Sequence, residues 1–286
     1  MSPATVSTDL RTALRGVRAL LLDLDGVIVL KGEAVPGSVE ALDALERRGV
    51  PFRIVTNTSL ISRATLSRWA ARLGNTIPPE RFQSALSASA AFAARHYPGR
   101  PLYVIASDDA RTEFDGQWLL GDDEAAAPGA EAAAVIVGDS PEVLTHRNLN
   151  SAFRLVRAGA ALIGMHRNPW WLTRDGPTID SGAYLAGLEF ATGVRARVIG
   201  KPSPAFFSLA VDSLRAEASA GGHDGRLARA TIAMVGDDVR SDVLAAQRAG
   251  LRGVFVLTGK HGLADIGSRA PDVVAPSLGD VVAALD

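Results

Sequence analysis

The chain has 286 residues, 47% of them hydrophobic and 21% charged. That length suits one large domain or two ordinary ones, and the composition excludes disorder as the main state. The 30 Lys and Arg nearly cancel the 31 Asp and Glu, so no polyanion-binding surface covers the whole protein, and the absence of cysteine excludes disulfides, thiolate metal sites and thiol nucleophiles.

The first 16 residues carry no continuous apolar run, so no secretory signal is expected. The most apolar segment, Arg18–Leu30 (RALLLDLDGVIVL), is interrupted by Asp23 and Asp25 and is far shorter than the roughly 20 residues of a membrane span. A cytoplasmic protein with no membrane partner is the expectation. Strands are predicted at Arg18–Asp23, Pro51–Thr56, Pro101–Ala106, Ala133–Val137, Ala160–Met165, Arg197–Gly200, Thr231–Val235 and Gly253–Leu257. Near-continuous hydrophobicity over such short runs fits strands buried on both faces of a parallel sheet. Helical patterns alternate with them. Pro36–Arg48 puts Val39, Leu42 and Leu45 on one stripe and stops at Gly49; Ser203-Pro204 opens a second helix; Ser241–Ala249 stops at Gly250. The acidic and Ala/Pro/Gly-rich Gly121–Gly129 and the Gly-rich Ala216–Gly225 read as loops or soft boundaries. This alternation predicts an α/β fold with a parallel sheet.

In open α/β sheets the chemistry lies beyond the carboxyl ends of the strands. Four predicted strand ends carry polar residues. Asp23-Leu24-Asp25-Gly26-Val27 ends the first strand with two carboxylates, costly to bury unless paired or metal-bound, and a glycine that permits a sharp turn. Thr56-Asn57 offers a hydroxyl and an amide to an anion; an Asx or ST turn capping a helix near Ser62 is the alternative. Lys201, between Gly200 and Pro202, is a point charge suited to an anionic substrate. Asp237, Asp238 and Asp242 follow Gly236 and read as a hard-cation site, with Asp238 equally suited to the start of the next helix.

Taken in order, DLDGV, TN, GKP and GDDVRSD resemble the four motifs of the haloacid dehalogenase (HAD) superfamily, over essentially the whole chain from Ala19 to Ala284. Only 33 residues separate Asp23 from Thr56, about one βαβ unit, whereas 145 separate Thr56 from Lys201. The surplus reads as an inserted domain at 84–191, with a discontinuous core at 1–83 and 192–286. An insert there resembles subfamily IIA, the NagD-like and nitrophenyl-phosphatase-like proteins. VIGKPSPAFF, MVGDDVRSDVLAAQRAG and VLTGK are similar to the branch holding haloacid dehalogenase-like hydrolase domain-containing protein 2 and phospholysine phosphohistidine inorganic pyrophosphate phosphatase.

The resemblance implies a Rossmann-like parallel-sheet core with an inserted α/β cap of C2 type, and a phosphatase. Asp23 is then the nucleophile and Asp25 the general acid and base. Magnesium is held by the Asp23 carboxylate, the Asp25 carbonyl and Asp237, with Asp242 on a metal-bound water. Thr56, the Asn57 amide and Lys201 form the phosphate cradle. Asp25 also separates a phosphatase from a true haloacid dehalogenase, whose halide leaving group needs no acid. The cap is expected to cover the site and select the substrate through MHRNPWWLTRDGPTIDSGAYL, with His166, Arg167 and Arg174 as candidate contacts. For His166 a satisfied internal histidine is the alternative. Trp170 and Trp171 suit cap core or a dimer surface. A small phosphorylated substrate, no nucleic acid and a homodimer through the cap complete the expectations. Pyrophosphate or N-phosphorylated substrates, a catalytically silent HAD-fold binding protein and a receiver-like domain are the alternatives.

Overall fold

The computed structural model describes residues 6–7, 9–74, 76–173, 175–220 and 227–285. The N-terminal part runs α1 (Leu10–Leu14), β1 (Ala19–Asp23), the short pair β2 (Val29–Leu30) and β3 (Glu33–Ala34), α2 (Ser38–Arg47), β4 (Phe52–Thr56), α3 (Arg63–Arg72) and β5 (Phe82–Ser84). The middle runs α4 (Ala85–His96), β6 (Leu102–Ile105), α5 (Asp108–Arg111), α6 (Asp122–Ala126), β7 (Ala134–Val137), α7 (His146–Arg157), β8 (Ala161–Gly164), the hairpin β9 (Trp170–Thr173) and β10 (Gly176–Ile179), α8 (Ser181–Thr192) and β11 (Arg197–Val198). The C-terminal part runs α9 (Pro204–Ala220), β12 (Ile232–Gly236), α10 (Leu244–Arg248), β13 (Arg252–Val256), β14 (Val273–Ala275) and α11 (Leu278–Ala283).

Two compact units result: 1–56, 67–83 and 201–286 form one, and 57–66 with 84–200 form the other. The first is built on a six-stranded sheet in the order β14-β13-β12-β1-β4-β5. β1 lies between β12 and β4, parallel to both, and every residue of β1, β4 and β12 is buried. Burial on both faces explains why these strands read as unbroken apolar runs. Chain order reverses at β1, with β4 on one side and β12 on the other, so the carboxyl ends of β1 and β12 flank the topological switch point.

The second unit has a four-stranded parallel sheet in the order β11-β8-β7-β6. Its core gathers Tyr103, Ile105, Val135, Val137, Leu155, Leu162, Leu185 and Leu188. The α7 helix shows the local logic: Thr145 caps it by accepting from Asn148 N–H, and Ala152, Leu155 and Val156 recur on its buried face. Truncating a buried leucine such as Leu155 to alanine costs about 2–5 kcal/mol.

The boundaries of the inserted unit differ from 84–191. Residues 197–200 belong to it, because β11 pairs with β8 and the Gly200 N–H donates to the Met165 carbonyl (2.8 Å). Residues 57–66 belong to it through Ser62, whose N–H donates to Asp109 (2.7 Å), and through Arg63, paired with Glu113. Two further differences are local. Gly121–Gly129 contains a short helix, α6, whose Glu124 carboxylate accepts from Gly121 N–H (2.7 Å). The segment at Ala216–Gly225 is helical to Ala220, and 221–226 lie outside the described residues.

Candidate active site

The site begins with β1. Its last residue, Asp23, pairs in register with Val55 of β4, which sets Thr56 at the next strand's carboxyl end. Asp23 is buried, and its Oδ1 accepts from Leu24 N–H (2.8 Å) and from Lys201 Nζ (2.7 Å). Lys201 Nζ also donates to the Val55 carbonyl (3.3 Å) and lies 2.7 Å from Asp242 Oδ1. One buried ammonium therefore serves two buried carboxylates. Burial opposes its charge, but Asp23 and Asp242 outweigh that and raise its pKa.

The third carboxylate follows β12. Asp23, Asp237 and Asp242 each offer an oxygen within 4.8 Å of the others, and all three are buried. The Asp25 side chain is exposed and is not in this group. The chain delivers Asp242 by an unusual turn. A π-helical stretch, Val239–Val243, precedes α10, and Asp238 caps it by accepting from the backbone of Arg240 and Ser241 (2.9 Å each). Asp238 N–H in turn donates to Asp242 Oδ2 (3.2 Å). Asp238 therefore serves the start of the helix; burial works against its charge, but Ser241 N–H and Lys260 hold its pKa down at about 2.

Crowded carboxylates with one counter-charge favour their neutral forms. Burial pushes Asp23 up to about 6 against the pull of Lys201, with Asp237 and Asp25 adding to the rise. Burial and the Asp23 charge push Asp242 up to about 8. Burial raises Asp237 too, with Asp242 adding; Asp25 is an exposed residue, yet desolvation of its carboxyl by the surrounding protein raises its pKa against the pull of Lys201, with Asp237 and Asp242 adding to the rise. Three hard oxygen donors this close fit a small divalent cation such as magnesium, which takes one or two carboxylates plus water and substrate oxygens.

Glycine makes this packing possible at two places. Gly26 turns the chain with φ +77°, and a Cβ there would lie 2.4 Å from Asp237 Oδ2. A Cβ on Gly259 would lie 2.0 Å from the same oxygen.

The other expected residues lie in the inserted unit. Asn57 opens its first segment. His166 is 3% exposed. Its Nδ1 accepts from Asn168 N–H (3.3 Å), and its Nε2 faces Ser59 Oγ and Ser181 Oγ (3.2 Å each) and Asp180 (3.6 Å). Burial lowers its pKa against the pull of Asp180, so the ring is a neutral hub joining the 57–66 segment to α8. Arg167 is held in an ion pair by Glu189, which also accepts from Ala196 N–H (2.8 Å). Arg174 lies outside the described residues. Trp170 and Trp171 are exposed on β9 rather than in a core.

Sequence reasoning missed Thr258 and Lys260, which follow β13. Lys260 N–H donates to Asp237 Oδ2 (2.8 Å), and Thr258 Oγ1 donates to the Gly26 carbonyl (2.5 Å). The available signal was a Thr-Gly-Lys at the end of an apolar run, the same kind of strand-end signal that exposed the other four.

Fold and site together define an α/β enzyme with a buried cluster of three acids at its switch point. Residues 20–117 match the family described as haloacid dehalogenase-like hydrolase, and 198–281 match a second, HAD-hydrolase-like family. Haloacid dehalogenase-like hydrolase domain-containing protein 2 of Mus musculus is 34% identical over 253 residues, 88% of this chain and 89% of the relative. Phospholysine phosphohistidine inorganic pyrophosphate phosphatase of Homo sapiens is 33% identical over 276 residues, 94% and 93%. The solved p-nitrophenyl phosphatase of Archaeoglobus fulgidus superposes with a TM-score of 0.81 at 27% identity, over 94% of this chain and 99% of that one. The chain belongs to the haloacid dehalogenase-like hydrolases, in subfamily IIA with its insert between the second and third motifs. Among the described residues no helix is long and apolar enough to cross a membrane.

Proposed function

We propose that this protein is a magnesium-dependent phosphatase that hydrolyses small phosphomonoesters through an aspartyl-phosphate on Asp23. The observation that carries the reading is the convergence of buried Asp23, Asp237 and Asp242 around Lys201, with an exposed carboxyl on Asp25 two residues along.

Leu24 N–H and Lys201 Nζ both donate to Asp23 Oδ1, and Oδ2 is the oxygen offered to phosphorus. Its attack forms the Oδ2–P bond as the P–O bond to the leaving group breaks. Asp25, whose pKa is raised, gives its proton to the leaving oxygen and then takes one from the water that hydrolyses the intermediate. Lys201 keeps Asp23 oriented, and with Thr56 and the Asn57 amide it receives the phosphate oxygens. Asp23 and Asp237, with the Asp25 carbonyl, would hold the cation, and Asp242 would orient water beside it. When bound, magnesium offsets the repulsion between carboxylate and phosphate and stabilises charge on the transferring group.

The A. fulgidus structure is of a p-nitrophenyl phosphatase, which supports an ester substrate. The name of the human relative favours a second reading, pyrophosphate or an N-phosphorylated compound. The inserted unit is taken to select among small substrates, and nucleic acid is not among them. Trp170, Trp171, Ile179 and Phe190 are exposed on that unit and support a homodimer formed through it, testable by light scattering. The test of function is hydrolysis of p-nitrophenyl phosphate, pyrophosphate and phosphohistidine with magnesium and with excess chelator. Magnesium-dependent turnover of the ester is expected. Full activity in chelator, or no hydrolysis of any of the three, would reject the reading.

A further inference from the structure

The segment that follows β13 makes three separate attachments to the site. β13 runs parallel to β12, with Phe255 opposite Gly236, so the chain beyond β13 emerges beside Asp237. Thr258 Oγ1 donates to the carbonyl of Gly26, inside the turn that carries Asp23 and Asp25. Lys260 N–H donates to Asp237 Oδ2. Lys260 Nζ pairs with Asp238 Oδ2 (3.1 Å), and Asp238 is the residue that caps the turn leading to Asp242. Gly259, between them, has no side chain to displace Asp237.

None of these contacts is a core contact. Lys260 has a 53% exposed side chain, and its partners are the site's own acids. We propose that Thr258–Lys260 is a clamp that positions the cation ligand Asp237 and the Asp238–Asp242 turn against the Asp23–Gly26 turn. The inference rests on the reading that these acids hold magnesium. The physical reason for a clamp is electrostatic. When both are ionised, as cation binding requires, Asp237 and Asp242 repel one another, and a carboxylate that swings away lowers that repulsion but loses the ligand geometry. The Lys260 N–H fixes the carboxylate's rotation. The hydroxyl of Thr258 ties the end of β13 to the Asp23–Gly26 turn. The Lys260 ammonium neutralises Asp238, the capping acid closest in sequence to Asp237. Thr258 and Lys260 are thus positioning residues.

The test is magnesium binding to the full chain by isothermal titration, with the melting temperature of the metal-free protein as control. Thr258→Val removes the hydroxyl, Thr258→Ser keeps it, Lys260→Ala removes the ion pair but keeps the N–H, and Lys260→Arg restores the pair. Thr258→Val and Gly259→Ala are expected to weaken binding by about 10–100-fold, the usual cost of losing an outer-shell partner, and Thr258→Ser by no more than about twofold. Lys260→Ala should fall between, with Lys260→Arg recovering most of the loss. The metal-free melting temperatures of the two threonine variants should match. Should Gly259→Ala fail to fold, the Val/Ser pair decides. Equal affinities for valine and serine, or losses that simply follow the metal-free melting temperature, would overturn the clamp while leaving the metal reading intact. A wild type that binds no magnesium would overturn both.

Discussion

At the ends of β1 and β12, Asp23, Asp237 and Asp242 gather around Lys201. Beyond the ends of β7 and β8, in the inserted unit, Asp139 and Asp180 gather near His166, Ser59 and Ser181. Both clusters are buried, both sit past parallel strands, and both contain acids that burial drives toward the neutral form. They differ in counter-charge and spacing. The first has a lysine held charged by two carboxylates, and its three acids lie close enough to share a cation. In the second, burial leaves His166 neutral and pushes Asp139 up to about 7, with the charge of Asp180 adding. Hydroxyls and backbone N–H groups supply its hydrogen bonds: Asp139 N–H donates to Ser59 Oγ (2.8 Å), and Ser181 N–H donates to Asp180 (2.7 Å). What separates the two clusters is a resident positive charge, which the first has in Lys201 and the neutral His166 does not give the second.

The comparison breaks most readily at Asp23. Asp23→Asn retains the shape but cannot form the acyl-phosphate, so turnover should fall by at least about 10³-fold. Measured kcat for p-nitrophenyl phosphate above a few per cent of wild type would remove Asp23 from its role. Asp25→Asn should cost on the order of 10²–10⁴-fold in kcat, with magnesium affinity preserved because the Asp25 carboxylate is outside the cation group. Equal loss of affinity in that variant would instead make Asp25 a ligand side chain.

The two smaller effects concern pH. Asp23 at about 6 and Asp242 at about 8 are both raised, so their native-state contribution is complete below the unfolded carboxylate pKa and is lost as pH climbs through those values. Metal-free protein should therefore lose stability between about pH 4 and 8, while magnesium, which needs ionised ligands, should stabilise it more at pH 8 than at pH 6. Melting temperatures with and without magnesium at pH 6, 7 and 8 would check this; a constant increment would mean that the acids are already ionised at pH 6. Asp139→Asn probes the second cluster. The same sign applies: the wild-type acid loses stability as pH rises through about 7, and asparagine does not. The variant should gain about 1–2 kcal/mol relative to wild type between pH 5 and 8, with magnesium affinity unchanged. A gain that does not depend on pH would show that the carboxyl of Asp139 is already ionised at pH 5.

Much of this arrangement was legible in the chain itself. Runs such as ALLLD, FRIVT and IAMVG are apolar along their length because both faces are covered, and that pattern alone marks Asp23, Thr56 and Asp237 as strand-end residues. The 33-residue and 145-residue spacings located the insertion for the same reason, since a βαβ unit has a minimum length. What the chain did not reveal depends on pairing between distant segments. VRARVIG looks like any other parallel strand, and only its pairing to β8 assigns residues 197–200 to the inserted unit, one residue before Lys201 returns to the core. Arg167 read as a polar group available to a substrate and His166 as either such a group or a satisfied internal histidine; only the fold brings Glu189 to the one and Ser59 and Ser181 to the other. Thr258 and Lys260 acquire a role only because β13 lies against β12 and carries them to Gly26 and Asp237. Hydrophobic periodicity is a local property and is written in consecutive residues. A hydrogen bond across more than 200 positions, such as Thr258 to Gly26, exists only once the sheet has chosen its strand order.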